Sequence, residues 1–335
     1  MTDLATTKRP RGNPSSDADF DALVEQHRRA LHAHCYRMLA SLHDADDALQ
    51  ETLLRAWKGL DGFDGRSSMR TWLYTIATNV SLRAMERRQR QLLPIDTGPS
   101  STVSTATWER VEVWPDPYPT AGSDGPEDTA VRSETLGLAF VAATQLLPPS
   151  QRAVLILREV HGYSARETAT MLEMSTPAVN SSLQRARRTL AEHARPSDQV
   201  VDQLDPAQRA ELMRQYIDAW QAGDLQGVLA LLTDDATFQM PPLATWFDGR
   251  AAIANFLPTG PLREKWRMVP TEANGQPAIG CYAWNPAAQT FEAHSLDVLS
   301  TTRGRVNGIT SFLLPQILGR FGLAKRLDAT GCAAD

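Results

Sequence analysis

The sequence predicts a multidomain chain, two all-α units followed by an α+β unit, and three observations carry that expectation. Apolar residues recur at three- and four-residue steps from Phe20 to Gln91 and again from Glu134 to Ala194, which is the period of amphipathic helices. Between these stretches, Leu92 to Asp128 turns to Pro, Ser, Thr, Gly and Asp, a composition from which no packed core is expected. After Arg195-Pro196-Ser197-Asp198, a helical stretch from Pro206 to Leu232 gives way to short β-like runs at Ala236 to Met240, Gln289 to Leu299 and Arg305 to Phe312. Length alone suggests about two domains at roughly 150 residues each. The changes of texture raise this to three domains and a linker: a disordered lead-in at 1–17, domains at 18–91, 134–196 and 205–335, and the linker at 92–133.

With 34 Lys+Arg against 39 Asp+Glu, the net charge of -5 argues against a uniformly basic protein that coats nucleic acid. Local basic clusters remain at Arg83 to Arg90 and Arg185 to Arg188. Cys35, Cys281 and Cys332 are odd in number and far apart, so neither a disulfide framework nor a CxxC metal pair is expected. No metal or cofactor is called for, and a reducing cytosol is the expected compartment. The first residues lack an apolar core of the kind signal peptides carry, and no run approaches the roughly 20 apolar residues of a membrane span.

In the first helical stretch, Leu42, Ala45, Leu49, Leu53 and Trp57 form the expected buried stripe, leaving Asp47, Gln50, Glu51 and Arg55 on an acid-rich face. A solvated face with intrahelical ion pairs is the plain reading of those charges. The loop Gly59 to Met69 and the helix from Arg70 combine aromatics with Arg, Ser, Thr and Asn. Such side chains stack on unpaired bases, bond base edges and take phosphates. Trp72, Leu73 and Ile76 are expected to be mostly buried.

The run Asp44-Ala45-Asp46-Asp47-Ala48-Leu49-Gln50-Glu51-Thr52-Leu53-Leu54-Arg55-Ala56-Trp57, then Phe63-Asp64-Gly65-Arg66-Ser67-Ser68 and Arg70-Thr71-Trp72-Leu73-Tyr74-Thr75-Ile76-Ala77-Thr78-Asn79, resembles region 2 of the sigma-70 family, in its extracytoplasmic-function type. That resemblance implies docking of Asp47, Gln50, Glu51 and Arg55 on the β′ clamp helices of RNA polymerase. It implies capture and melting of the promoter -10 element by Phe63, Asp64, Arg66, Ser67, Ser68, Arg70, Tyr74 and Asn79.

Ser164-Ala165-Arg166-Glu167 fits a capping box, so a helix is expected from Ala165 to Leu172. A second helix follows, with Thr176 as cap and Pro177 in its first turn. Two short helices with a tight turn make a helix-turn-helix, or an ordinary helical hairpin. Val179, Leu183, Ala186 and Leu190 point inward in this reading, leaving Asn180, Ser181, Gln184, Arg185 and Arg188 as types that bond base edges and phosphates. Together with Leu146 to Val160, Gly162-Tyr163-Ser164 and Glu167-Thr168-Ala169, this segment is similar to sigma region 4. The resemblance implies -35 recognition by Thr176, Asn180, Ser181, Gln184, Arg185 and Arg188, and a second contact to the polymerase at the β flap. It also implies a linker that threads toward the polymerase cleft, where Glu109, Glu112, Asp116, Asp124, Glu127 and Asp128 would mimic nucleic acid.

The last third, with Leu212 to Trp220, Gly223-Asp224-Leu225, Leu229 to Phe238 and Trp246-Phe247-Asp248-Gly249-Arg250, is similar to the SnoaL-like branch of the nuclear transport factor 2-like fold, a curved sheet around a conical pocket. Pocket candidates are Asp235, Asp248, His294 and Asp297, with Trp246, Tyr282 and Trp284 as walls. A hydrogen-bonded scaffold explains each equally, so no catalytic residue is assigned and a small-molecule ligand is left open. The expected function is a promoter-specificity subunit of RNA polymerase whose third domain regulates it in cis. The rival is a SnoaL-like enzyme carrying helical DNA-targeting or regulatory domains.

Overall fold

The computed structural model describes residues 17–86, 91–106, 108–110, 114–120, 137–193 and 204–334. The lead-in at 1–16, Arg87, Arg88, Arg90, Glu112, Asp124, Glu127, Asp128 and the boundary at Arg195 to Asp198 lie outside the described residues.

Three helices build the first domain: α1 (Asp17–Leu39), α2 (Leu42–Gly59) and α3 (Met69–Met85). Ser41 caps α2 and Ser68 caps α3, each accepting a backbone N–H of the first turn. Leu42, Ala45 and Leu49 of the expected stripe are buried, and toward the end of α2 the buried arc continues through small residues, Ala48, Thr52 and Ala56. Small side chains let α2 approach its neighbours closely. Because each residue turns the helix by about 100°, this arc carries Leu53 to the edge and leaves Leu54 and Trp57 54% and 52% exposed. Trp57 therefore does not belong to the buried stripe expected of it.

The second domain holds α4 (Leu138–Thr144), α5 (Pro149–Leu155) with a π-helical extension (Ile156–Val160), α6 (Ala165–Met171) and α7 (Thr176–His193). The capping box at Ser164 and Glu167 is present, at 3.1 and 2.7 Å. Glu173 takes a left-handed conformation (φ 55°) in the turn. Ser175, and not Thr176, caps α7, accepting from the Ala178 amide at 3.3 Å, which moves Thr176 and Pro177 one place into the helix.

In the third domain, α8 (Pro206–Gln221), α9 (Leu225–Leu231) and α10 (Arg250–Phe256) pack on one curved sheet. Its strands are β1 (Leu232–Gln239), β2 (Trp246–Asp248), β3 (Trp266–Ala273), β4 (Gln276–Asn285), β5 (Thr290–Thr302), β6 (Arg305–Phe312) and β7 (Arg326–Leu327). The order is β2-β1-β6-β5-β4-β3 with β7 on β5, antiparallel except for β1 with β6. The inner face, with Phe247 and Ile279, is filled by its own side chains and by Tyr216 and Trp220 of α8. Tyr282, Phe291, Leu296 and Phe312, on the outer face, join an apolar cluster continuous with Tyr36 and Leu73 of the first domain and Ile156 and Leu157 of the second.

The described residues of the linker are packed, contrary to the composition-based expectation. Leu93 and Tyr118 are buried in that shared cluster. Gly98 to Arg110 lies along the third domain, where the Gly98 carbonyl accepts from the Trp246 indole and the Glu109 carbonyl from the Ala244 amide. Few large apolar residues suffice here because the linker borrows the cores on either side.

Candidate nucleic-acid and partner interfaces

The acid-rich face of α2 stays open. Asp47 and Gln50 are exposed, Glu51 and Arg55 are half-exposed and paired with each other at 2.6 Å. Leu54, Trp57 and Lys58 share this face, so it is mixed apolar and charged. Sequence periodicity hides that, because it assigns large apolar residues inward. Exposed large apolar side chains beside charges are typical of contact surfaces.

Phe63 packs against Trp72 at the base of the loop, with ring centroids 5.0 Å apart and tilted, while Asp64, Arg66, Ser67 and Ser68 are exposed. The Asp64 carboxylate pairs with Arg66 at 2.6 Å, and Gly65 (φ 71°) makes the turn between them. Of the helix residues, Arg70 is exposed, Asn79 half-buried and Tyr74 only 3% exposed. Tyr74 is covered by the second domain: its ring lies 4.4 Å from that of His161 and 6.3 Å from that of Tyr163. The Arg70 guanidinium stands over both tyrosines, at 5.3 and 5.8 Å.

This seam has further polar ties. Arg152, almost fully buried, donates to the Met38 carbonyl at 2.6 Å. His34 and His161 share a hydrogen bond of 3.0 Å. On α7, Val179, Leu183 and Ala186 face inward, while Thr176, Asn180, Ser181, Gln184, Arg185 and Arg188 are all exposed along one side. The recognition-type surface is thus assembled, but it is carried on a domain closed over Tyr74.

The third domain touches every other part. The Asn274 side chain, in the β3–β4 turn, accepts from the Tyr118 amide (2.8 Å) and donates to the Tyr36 hydroxyl (2.9 Å), which donates to the Asp116 carbonyl (2.7 Å). Arg320 pairs with Asp46 of α2 at 2.8 Å; the other Asp46 oxygen accepts from His32, whose Nδ1 meets the Tyr118 hydroxyl. The Leu138 amide, first in α4, donates to Gln276 at 2.8 Å. Asp116 is no nucleic-acid mimic in this arrangement: its carboxylate accepts the Leu42 amide at the start of α2, and burial raises its pKa.

The pocket candidates do not converge. Asp235 and Asp248 are exposed, and the Trp246 indole is engaged by the linker. Tyr282 faces the opposite side of the sheet from the cone, donating to the Ala324 carbonyl at 2.9 Å, and Trp284 meets Phe291 there. His294 is exposed against Trp266 at 5.2 Å. Asp297 is sealed in the cone, accepting from Ser311 (2.6 Å) and Tyr216 (3.2 Å), with burial raising its pKa. Among the described residues no group of three or more His, Cys, Asp or Glu side chains is set to hold a metal. No described helix is long and apolar enough to cross a membrane.

Comparisons with known proteins identify the domains that carry these surfaces. Family models match for Sigma-70 region 2 at residues 23–91, for Sigma-70 region 4 at 138–190 and for a SnoaL-like domain at 213–307. The ECF RNA polymerase sigma factor SigG of Mycobacterium tuberculosis strain H37Rv is 40% identical, over 98% of this chain and 90% of its own. SigW of Bacillus subtilis strain 168, another ECF RNA polymerase sigma factor, is 26% identical over 58% of this chain and 98% of its own. The crystal structure of the extracytoplasmic function sigma factor SigJ of Mycobacterium tuberculosis superposes with a TM-score of 0.61 over 89% of this chain and 98% of its own, a likeness of fold at 22% identity. Helical domains in the order of regions 2 and 4, the SnoaL-like sheet behind them and a relative that matches almost end to end make this chain a member of the ECF RNA polymerase sigma factors.

Proposed function

We propose that this sigma factor folds back on itself when free of polymerase, ready to dock but not to read a promoter. The observation that carries this reading is the burial of Tyr74 under His161 and Tyr163 while the α2 face and the outer side of α7 stay exposed. Core RNA polymerase docks in the cytoplasm on Asp47, Gln50, Glu51 and Arg55, with Leu54 and Trp57 supplying apolar area. Phe63, Asp64, Arg66, Ser67, Ser68, Arg70, Tyr74 and Asn79 then take the -10 strand, and Thr176, Asn180, Ser181, Gln184, Arg185 and Arg188 take the -35 duplex. A helix of the α7 kind reads base edges from the major groove, while its arginines take phosphates. The two elements lie at separate sites on the promoter, so region 4 has to leave Tyr74 before both engage. The SnoaL-like domain restrains that step in cis through Arg320, Asn274 and Gln276, and by strapping the linker.

Run-off transcription with core polymerase tests the reading. Promoter-dependent transcripts are expected, and charge reversal at Asp47 and Glu51 is expected to weaken core affinity on the order of tenfold. Unchanged affinity in the reversed variant would remove the docking assignment, and turnover of a small substrate without any promoter-dependent transcript would favour an enzyme.

A further inference from the structure

We infer that the His34–His161 pair is an acid-sensitive latch: adding a proton to it opens the seam between regions 2 and 4. The argument starts from Thr78, whose hydroxyl donates to the Tyr74 carbonyl at 2.7 Å. Only its lone pairs are left for His34 Nε2, 3.0 Å away, so that nitrogen carries the His34 proton. His34 Nδ1 is then an acceptor, and His161 Nε2–H donates to it across the seam at 3.0 Å. Both rings are neutral, each with one proton, and the direction of the bond is set by Thr78.

A first added proton goes to His161 Nδ1, the one ring nitrogen of the pair not engaged in these bonds, so the Nε2–H bond to His34 itself survives. What it brings is a cation in a poor place. Arg37 of α1 and Arg70 of α3 act on the pair from region 2. The neighbouring titratable groups are the phenols of Tyr74 and Tyr163. Arg158 is turned to the Tyr163 carbonyl, and Glu159 is drawn away to Arg187. Among the described residues no carboxylate shifts either ring. A second proton sets two N–H groups head to head across the seam. Burial already holds the His34 pKa down to about 3 and that of His161 well below its usual value.

The sign follows from linkage. Both pKa values are depressed in the closed form and return toward about 6.5 when the rings part into solvent. The closed arrangement is therefore fully favoured above that value and weakens as pH falls toward the depressed ones. Each titrating imidazole shifts the opening equilibrium about tenfold per pH unit. At pH 5.5 the shift is on the order of tenfold for one ring and 100-fold for both.

The inference rests on the closed reading, and the test separates the two. In the full chain with Cys332→Ser, exposed positions receive a fluorophore pair through Asp61→Cys in region 2 and Arg166→Cys in region 4. Cys35 and Cys281 are buried and do not compete for label. Energy transfer is followed from pH 7.5 to 5.0 with circular dichroism alongside, in this protein and with His34→Gln/His161→Gln added. The latch requires high transfer at pH 7.5 that falls on acidification with helicity unchanged, and a double variant that stays closed. The single variant His161→Gln, a backup if the double variant folds poorly, should show a shift of the opening equilibrium about tenfold smaller at pH 5.5. High transfer that does not fall, or a variant that opens at the same pH, overturns the latch alone. Low transfer already at pH 7.5 overturns the closed reading and the latch with it.

Discussion

Asn274 stands at the left-handed position of the β3–β4 turn (φ 56°) and joins three parts of the chain. Its backbone and side chain clasp Tyr118 of the linker, and its amide nitrogen reaches Tyr36 of α1. Glycine accepts the same backbone conformation without a side chain. Asn274→Gly is thus expected to leave the turn intact, orphan the buried Tyr118 amide and cost about 1–3 kcal/mol in equilibrium unfolding. Protease cleavage near residues 108–120 should quicken. Asn274→Ala adds the strain of a left-handed alanine, about 1 kcal/mol, so an alanine variant as stable as the glycine one would refute this account. The pairing of Tyr36 with Asn274 was not legible in the sequence: the partners lie 238 residues apart and leave no periodic trace. Residues whose roles follow from local spacing, such as Ser164 with Glu167, were legible.

Among the elements, α7 is the one whose sequence maps most directly onto a surface. Its inward residues fall on one side because the helical period alone decides them, and the polar ones are left exposed together. Gln184→Ala is expected to relax sequence preference at one -35 position by about 1–3 kcal/mol. Arg188→Ala should instead weaken all promoters alike and lower the salt slope by about 1. Binding measured against a panel of single-base promoter variants at several salt concentrations separates the two, and equal effects of both on base preference would count against this assignment of α7. Removing the Ser164 cap with Ser164→Ala should cost about 1 kcal/mol of stability, read by denaturant unfolding. Other elements were harder to read. On α2 the arc of small residues that packs inward gave a weaker pattern than the large apolar residues beside it. Strands β3 and β4 escaped notice because Pro270 and Gly280 interrupt them, although the Asn274-Gly275 pair between them is a strong hairpin-turn signal.

At the scale of the whole molecule, domain order was legible from changes in texture, but the closure of the domains on each other was not. Closure depends on the shared apolar cluster and on a few long-range polar ties, none of which has a period. The ties from the third domain can be cut without removing it. In the variant Asn274→Gly/Gln276→Ala/Arg320→Ala, the side-chain bonds to Tyr118 and Tyr36, the bond to the Leu138 amide and the ion pair with Asp46 are all lost. The Arg320–Asp46 pair is partly exposed and contributes at most about 1 kcal/mol, while each buried hydrogen bond contributes about 0.5–1.5 kcal/mol. A combined loss of about 2 kcal/mol shifts the closed-to-open equilibrium roughly 30-fold. The α2 docking face is already exposed when the chain is closed, so core affinity should hardly change. What should rise is promoter-dependent open-complex formation at limiting sigma factor, measured by run-off transcription with core polymerase. If transcript yield is unchanged while the variant remains folded, these ties do not restrain promoter engagement. If yield falls, the third domain supports initiation, the opposite of restraint.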